Sequence, residues 1–132
     1  MPELSVGDLC AQRFRIEGVA GAGGMGTVFR ALDTYSGETV GLKILHRISL
    51  SGDEANRFQR EASILAGLRH PGIARYVDHG LLPDGKAYLA MEWLEGETLA
   101  QRLAGPGLSL SESLHFLRAI AVALPAAHGQ GF

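Results

Sequence analysis

Lys43 is the residue whose surroundings most clearly call for a chemical partner in this chain of 132 residues. It stands within the apolar segment 40–45, where an ammonium group without a partner is costly to bury. Glu61, in the helical segment that follows, is the natural acidic partner. Asp53 and Glu54 compete for that role, but at the start of the helix they more simply favour its dipole. The spacing predicts an ion pair between Lys43 and Glu61, formed directly or after a small rotation of the helix.

A glycine cluster precedes the lysine, with Gly21, Gly23 and Gly26 in a G-x-G-x-x-G spacing. Glycines let a backbone approach a phosphate, but this spacing also suits a flexible hairpin turn. A P-loop needs Lys followed by Ser or Thr after the last glycine, and this chain has Thr-Val there. A dinucleotide fold needs a helix at that point, whereas Thr-Val-Phe favours a strand. The remaining interpretation is a hairpin folded over nucleotide phosphates, with Val28 as an apolar contact for the base.

Two further segments and one cysteine have simpler interpretations. Residues 70–73, His-Pro-Gly-Ile, are interpreted as a structural turn because no second histidine lies at metal-ligand spacing. At residues 91–94 an apolar strand gives way to a polar segment. This change fits a connector whose backbone can hydrogen-bond an adenine edge, and the alternative is the plain end of a strand. Cys10 is the only cysteine, which excludes an intrachain disulfide and predicts an unreactive, partly buried thiol.

The composition predicts one soluble globular domain. Hydrophobic residues make up 46% and charged residues 20%, so the chain has enough apolar residues for a core. A net charge of -2 argues against a broad surface for nucleic acid. Neither a membrane-crossing segment nor a signal peptide is evident, and a cytoplasmic protein is expected.

The elements that must position these residues change from strands to helices along the chain. Alternating or β-branched residues predict strands at 13–17, 27–32, 39–45, 73–80 and 87–91. One helix opens at Asp53-Glu54, ends at Pro71 and carries on one face Phe58, Ala62, Leu65 and Leu68. A short helix is predicted at 98–103, and a longer one is capped by Ser111-Glu112-Ser113.

Taken together, the motifs resemble bacterial serine/threonine protein kinases of the eukaryotic-like family, from about Phe14 to Phe132. The resemblance implies an α+β fold. A protein-kinase-like N-lobe, with a five-stranded antiparallel sheet and helix αC, would be followed by the C-lobe helices αD and αE. The five motifs occur in family order at residues 21–28, 40–43, 57–61, 70–73 and 91–96. The implied divisions are an N-terminal flank (1–12), N-lobe (13–91), hinge (92–97) and start of the C-lobe (98–132).

The resemblance also assigns roles and a cofactor. It makes Lys43 and Glu61 the catalytic ion pair and Met91 the gatekeeper, and it places Leu65 and Tyr76 in the packed spine that links the lobes. It implies ATP and Mg²⁺, with the main Mg²⁺ ligands outside these residues, and transfer of the ATP γ-phosphate to Ser or Thr hydroxyls of a protein substrate. The implied nucleotide contacts are Ala20, Gly21, Gly23, Gly26, Val28, Gly41, Lys43, Met91, Glu92 and Leu94.

The chain departs from the family in ways that bear on activity. Ala20 stands where the family usually has a bulky aliphatic residue, and Gly41 stands where it has alanine. Each change removes apolar contacts with adenine, which contribute about 0.8 kcal/mol per buried methyl group. Pro125 lies within a predicted helix, where it bends the helix or costs about 3 kcal/mol. The 132 residues contain neither His-Arg-Asp nor Asp-Phe-Gly, so the chain alone is expected to be inactive.

Two other classes of function remain open from the residues. A pseudokinase-like scaffold that binds nucleotide without catalysis fits the same motifs, and a catalytic-loop aspartate encoded downstream would favour the enzyme instead. A dinucleotide-binding oxidoreductase requires residues 27–33 to be helical. The last helix, finally, has more apolar residues than one buried stripe needs, which predicts self-association, aggregation or loose packing. These residues are Leu114, Phe116, Leu117, Ile120, Val122 and Leu124.

Overall fold

One antiparallel sheet organises the chain. The computed structural model describes residues 4–23, 26–46 and 52–129, apart from the side chains of residues 52–55, 126, 127 and 129. The order across the sheet is β1-β2-β3-β4-β6-β5, with every neighbouring pair antiparallel. The strands are β1 (Leu9–Cys10), β2 (Phe14–Ala22), β3 (Gly26–Asp33), β4 (Thr39–Leu45), β5 (Tyr76–Leu81) and β6 (Ala87–Glu92).

The sheet decides between two sequence interpretations and corrects two further expectations. Residues 27–33 lie in β3, so the interpretation as a dinucleotide-binding fold is wrong. The described part of the chain has six strands rather than five, because β1 pairs Leu9 with Arg15 and Cys10 with Phe14. Two residues are too few to leave a recognisable alternation. β5 begins at Tyr76 rather than at residue 73, since the backbone first turns at His70, which accepts a hydrogen bond from Ile73 (3.1 Å).

Alternation along the strands separates two faces of the sheet. In β4, Val40, Leu42 and Ile44 are buried, whereas Gly41 and Lys43 lie half-buried on the other face. The buried face forms the main core, which contains Cys10, Phe14, Ile16, Phe29, Ala31, Val40, Leu42, Ile44, Tyr88 and Ala90. Burial raises the pKa of the Cys10 thiol to about 11, as expected for an unreactive cysteine.

A buried ion pair ties the start of β2 to the end of β3. Asp33 is 1% exposed, and its two oxygens accept hydrogen bonds from Nε (2.8 Å) and a terminal nitrogen (2.9 Å) of Arg13. The Arg13 guanidinium holds the pKa of Asp33 at about 2. Its other terminal nitrogen lies 3.7 Å from Asp78 of β5, which also accepts a hydrogen bond from Tyr88 of β6 (2.9 Å). The network therefore spans four strands.

In the described ranges three helices accompany the sheet: α1 (Gly52–Gly67), α2 (Leu99–Ala104) and α3 (Leu110–Gly129). Helix α1 packs against β5 and ends four residues before Pro71, not at it. Neither α2 nor α3 makes broad contact with another described element. No helix among the described residues is long and apolar enough to cross a membrane.

The caps of the last two helices follow from local hydrogen bonds. Thr98 and Gln101 form a reciprocal capping box at the start of α2. Helix α3 is capped by Ser109 rather than by residues 111–113: Ser109 Oγ accepts from the Glu112 backbone N–H (3.1 Å), and the Glu112 carboxylate accepts from the Ser109 N–H (3.1 Å). The sequence interpretation was wrong by two residues because both segments contain serines. Helix α3 continues through Pro125.

Candidate functional site

The face of the sheet opposite the main core brings together the side chains that sequence analysis selected. Residues directly opposite one another in antiparallel strands share a face. Val28 lies opposite Lys43, and Lys43 lies opposite Leu89. In the next row Gly41 lies opposite both Arg30 and Met91. The result is a small surface with an apolar patch, one ammonium group and a gap where Gly41 has no side chain.

The hairpin between β2 and β3 lies at the edge of this surface. A Cβ on Gly26 would lie 2.4 Å from the Ile44 carbonyl oxygen, so no other residue fits there without moving β4. Gly21 and Gly23 face open space, and the Gly23 N–H donates to the Gly26 carbonyl (3.0 Å). Ala20 is exposed at a register shift of β2. Gly24-Met25, at the tip of the predicted flap, falls outside the described residues.

The segment after β6 offers unpaired backbone groups. Glu92 is anchored at both ends: its N–H donates to the Arg75 carbonyl (2.8 Å), and its carboxylate accepts from the Arg75 N–H (2.9 Å). Leu94 is exposed, and its backbone makes no hydrogen bond with any other described residue. A planar ring at this position could use the Leu94 N–H, as the sequence analysis expected of a hinge.

Two residues of this surface escaped the sequence analysis. The Trp93 ring lies beneath the Arg30 guanidinium (5.4 Å to the ring centroid) and donates through Nε1 to Glu95 (2.8 Å). A Cβ at Gly41 would lie 3.9 Å from Trp93, an ordinary van der Waals contact. The indole therefore borders the gap at Gly41. The available signal was that the only tryptophan of the sequence lies within the predicted hinge (92–97).

The predicted ion pair between Lys43 and Glu61 is not formed. Within the described residues, no carboxylate lies within 4.0 Å of the Lys43 ammonium, and Glu61 is exposed on α1. The physical reason is that α1 packs on β5 rather than on β4, which carries the lysine. Direct pairing is thus wrong for this structure, and pairing after a rotation of the helix stays a prediction.

The residues present fit a nucleotide better than they fit its metal ion. A glycine hairpin, an ammonium group and unpaired backbone beside an apolar patch suit phosphates and a base. No group of three or more His, Cys, Asp or Glu side chains in the described ranges could hold a metal ion. The Mg²⁺ expected with ATP therefore gains no ligand cluster from these residues.

Comparison with known families decides what this fold is. The protein kinase domain matches residues 14–132 of the chain. The chain belongs to the protein kinase domain family. This match covers the sheet from β2 onward and all three helices, so the kinase-like α+β fold expected from the motifs is confirmed.

Bacterial serine/threonine kinases are among the relatives of this kinase-family chain. It is 37% identical over 128 residues to the serine/threonine-protein kinase pkn3 of Myxococcus xanthus, covering 96% of the chain and 23% of that protein. Against PknA of Mycobacterium tuberculosis the identity is 39% over 132 residues, with 96% and 31% covered. The crystal structure of the M. tuberculosis PknI kinase domain superposes with a TM-score of 0.85 at 32% identity, covering 98% of the chain and 52% of that domain. The chain thus spans less than a third of these curated relatives.

Proposed function

We propose that this chain forms the ATP-binding part of a serine/threonine protein kinase domain. The observation that carries the proposal is the convergence of Val28, Gly41 and Lys43 on one face, beside a hairpin whose close approach to β4 only Gly26 permits. The similarity to bacterial kinases supports the same assignment.

Each part of the surface has a separate task in this proposal. The glycine hairpin lets its backbone approach the phosphates, since Gly21 and Gly23 carry no side chain, and the Lys43 ammonium offsets phosphate charge. Val28 contacts the base from above, and the Leu94 N–H donates to its edge beyond Met91. ATP supplies the phosphoryl group, whereas these residues only bind and orient it.

We propose that the complete domain transfers the γ-phosphate to Ser or Thr hydroxyls of a protein substrate and that the 132 residues alone do not. They contain no His-Arg-Asp, which supplies the base in this family, and no Asp-Phe-Gly, which supplies a metal ligand. A non-catalytic, pseudokinase-like module is the second candidate. The observation in its favour is that, within the described residues, Lys43 and Glu61 form no ion pair with each other.

Calorimetric titration with Mg·ATP tests the binding proposal. Lys43→Met should weaken the affinity about tenfold or more, because a hydrogen bond to a charged group contributes about 1.5–3 kcal/mol. Lys86→Met is the matched control, since Lys86 is the only other lysine and lies near Asp84 in the turn between β5 and β6. Equal affinities for the wild type and Lys43→Met would overturn the proposal.

Radiolabelled ATP with a generic basic protein tests the expected inactivity. No transfer above background is expected from the 132-residue chain. Turnover that disappears in Lys43→Met would show that the chain is active by itself and would contradict this expectation.

A further inference from the structure

One histidine connects α1 to the sheet on both sides of its ring. His79 of β5 hydrogen-bonds through Nδ1 to the Tyr76 hydroxyl and through Nε2 to Gln59 Oε1 on α1 (2.9 Å). Its ring also meets Phe58 of α1 edge-on, with centroids 5.9 Å apart. Because β5 is the strand on which α1 packs, His79 lies at the main contact between helix and sheet.

The chemistry of Gln59 fixes the direction of its hydrogen bond with His79. Gln59 Oε1 can only accept, so Nε2 of His79 must carry the proton. In a neutral imidazole Nδ1 then accepts, and the Tyr76 hydroxyl donates to it. Burial raises the pKa of Tyr76, which keeps that hydroxyl protonated. The chain Tyr76–His79–Gln59 is therefore fully satisfied as it stands.

Gln59 and Glu61 lie at opposite edges of the face with which α1 meets the sheet. Successive residues of an α-helix are 100° apart around its axis. The mean direction of the packed residues Phe58, Ala62 and Leu65 is therefore about 90° from the direction of Gln59. Glu61 points roughly 70° from the same mean direction, on the side away from Gln59. A rotation that lowers the Gln59 edge onto β5 therefore raises the Glu61 edge toward solvent, where Glu61 is found.

We propose that His79 is a positioning residue: its hydrogen bond to Gln59 holds α1 rotated with Glu61 away from Lys43, and release of that bond lets the two charges meet. The inference rests on the proposed function in one respect: it takes the ion pair used in ATP binding to be Lys43–Glu61. The nucleotide site is thereby controlled from the opposite edge of the helix, by a contact that touches no nucleotide.

Carbodiimide cross-linking of carboxylates to amines, read by mass spectrometry, measures the approach directly. The Lys86–Asp84 pair, 4.0 Å apart, supplies an internal reference for the Lys43–Glu61 product. His79→Ala and Gln59→Ala should each raise the ratio of the two products about fivefold, the factor that one ordinary hydrogen bond provides. The double variant should rise no further, because both changes remove the same bond.

Conservative substitutions separate positioning from simple loss of packing. His79→Gln keeps an N–H near the position of Nε2 and should retain the wild-type ratio. His79→Asn reaches only the position of Nδ1 and should behave like His79→Ala. His115→Ala is the matched control, because it removes an exposed imidazole from α3.

An unchanged or lower ratio in both Gln59→Ala and His79→Ala would overturn the inference. Gln59 is exposed, and alanine favours a helix, so Gln59→Ala keeps the test valid even if a change at His79 unfolds the chain. The assay uses no nucleotide. Failure of the wild type to bind ATP would overturn the proposed function while leaving the cross-linking result intact.

Discussion

At the scale of single residues, the glycines of the hairpin differ in what they do. Gly26 is needed for the fold, because its Cα approaches the Ile44 carbonyl too closely for any side chain. Gly21 has open space around the position of a Cβ, so packing within the described residues does not require a glycine there. The missing side chain instead leaves room for a ligand. The G-x-G-x-x-G spacing does not distinguish these two roles, since the difference depends on how β3 pairs with β4.

Gly26→Ala should therefore lower the free energy of unfolding by about 2 kcal/mol or more, as expected for overpacking against a backbone atom. Gly21→Ala, the matched control, should change it by less than about 1 kcal/mol. Urea titrations of both variants measure the difference. Equal stability of the two variants would contradict the close approach of β3 and β4 at Gly26.

Gly41→Ala tests the gap beside Trp93. The added methyl group reaches ordinary contact with Trp93 (3.9 Å) and with the Met91 carbonyl oxygen (4.0 Å) without strain. If adenine lies over this position, one buried methyl group should tighten ATP binding about fourfold. Gly18→Ala in β2, also without a close neighbour and separated from Gly41 by Arg30 of β3, serves as control. Weaker binding by Gly41→Ala would show that the base lies elsewhere.

At the scale of elements, the Arg13–Asp33 pair makes the sheet sensitive to acid. The folded-state pKa of Asp33 is lowered from 3.8 to about 2, so its stabilisation is present above pH ~4 and is lost as the pH falls toward about 2. The wild type should lose about 2 kcal/mol of stability over that window through this group.

Asp33→Asn tests this linkage. The variant should be less stable by about 3 kcal/mol at neutral pH, because it leaves a partly buried Arg13 without its counter-charge, and its stability should fall less between pH 4 and 2. Glu38→Gln removes an exposed carboxylate 3.3 Å from Arg75 and should change little. Chemical denaturation across this pH range measures the free energy of unfolding of both proteins. If that free energy fell equally with pH in the wild type and in Asp33→Asn, the lowered pKa of Asp33 would be contradicted.

The sequence predicted the elements whose apolar residues recur at a regular spacing. It missed the features that depend on which distant segments pair with each other. β4 was evident because its alternation continues over seven residues, and the face of α1 was evident from Phe58, Ala62 and Leu65. β1 was missed because two residues carry no period. The strand on which that face of α1 packs and the exposed position of Glu61 could not be predicted, since they depend on contacts between distant residues, such as that of His79 with Gln59 across 20 residues.

At the scale of the whole molecule, α3 leaves a large apolar surface uncovered within the described chain. Its exposed side chains include Leu110, Leu114, Phe116, Leu117, Ile120, Val122 and Leu124. The 132-residue chain is expected to self-associate or to exchange amide hydrogens rapidly in α3. Sedimentation with hydrogen exchange tests this expectation: a clean monomer with strong protection throughout residues 111–128 would contradict it.

In the proposed site Lys43 faces the phosphates of a bound nucleotide, and the two lysines of the chain allow a direct test. An acyl phosphate of ATP transfers its acyl group to an amine beside the bound phosphates, and the labelled lysine is identified by mass spectrometry. Lys43 lies on the proposed nucleotide face, whereas Lys86 lines a groove on the opposite face with Phe29 and Ile44. Excess ATP should block the labelling of Lys43 and leave the labelling of Lys86 unchanged. Equal labelling of both lysines, or protection of Lys86 by ATP, would contradict this placement of Lys43.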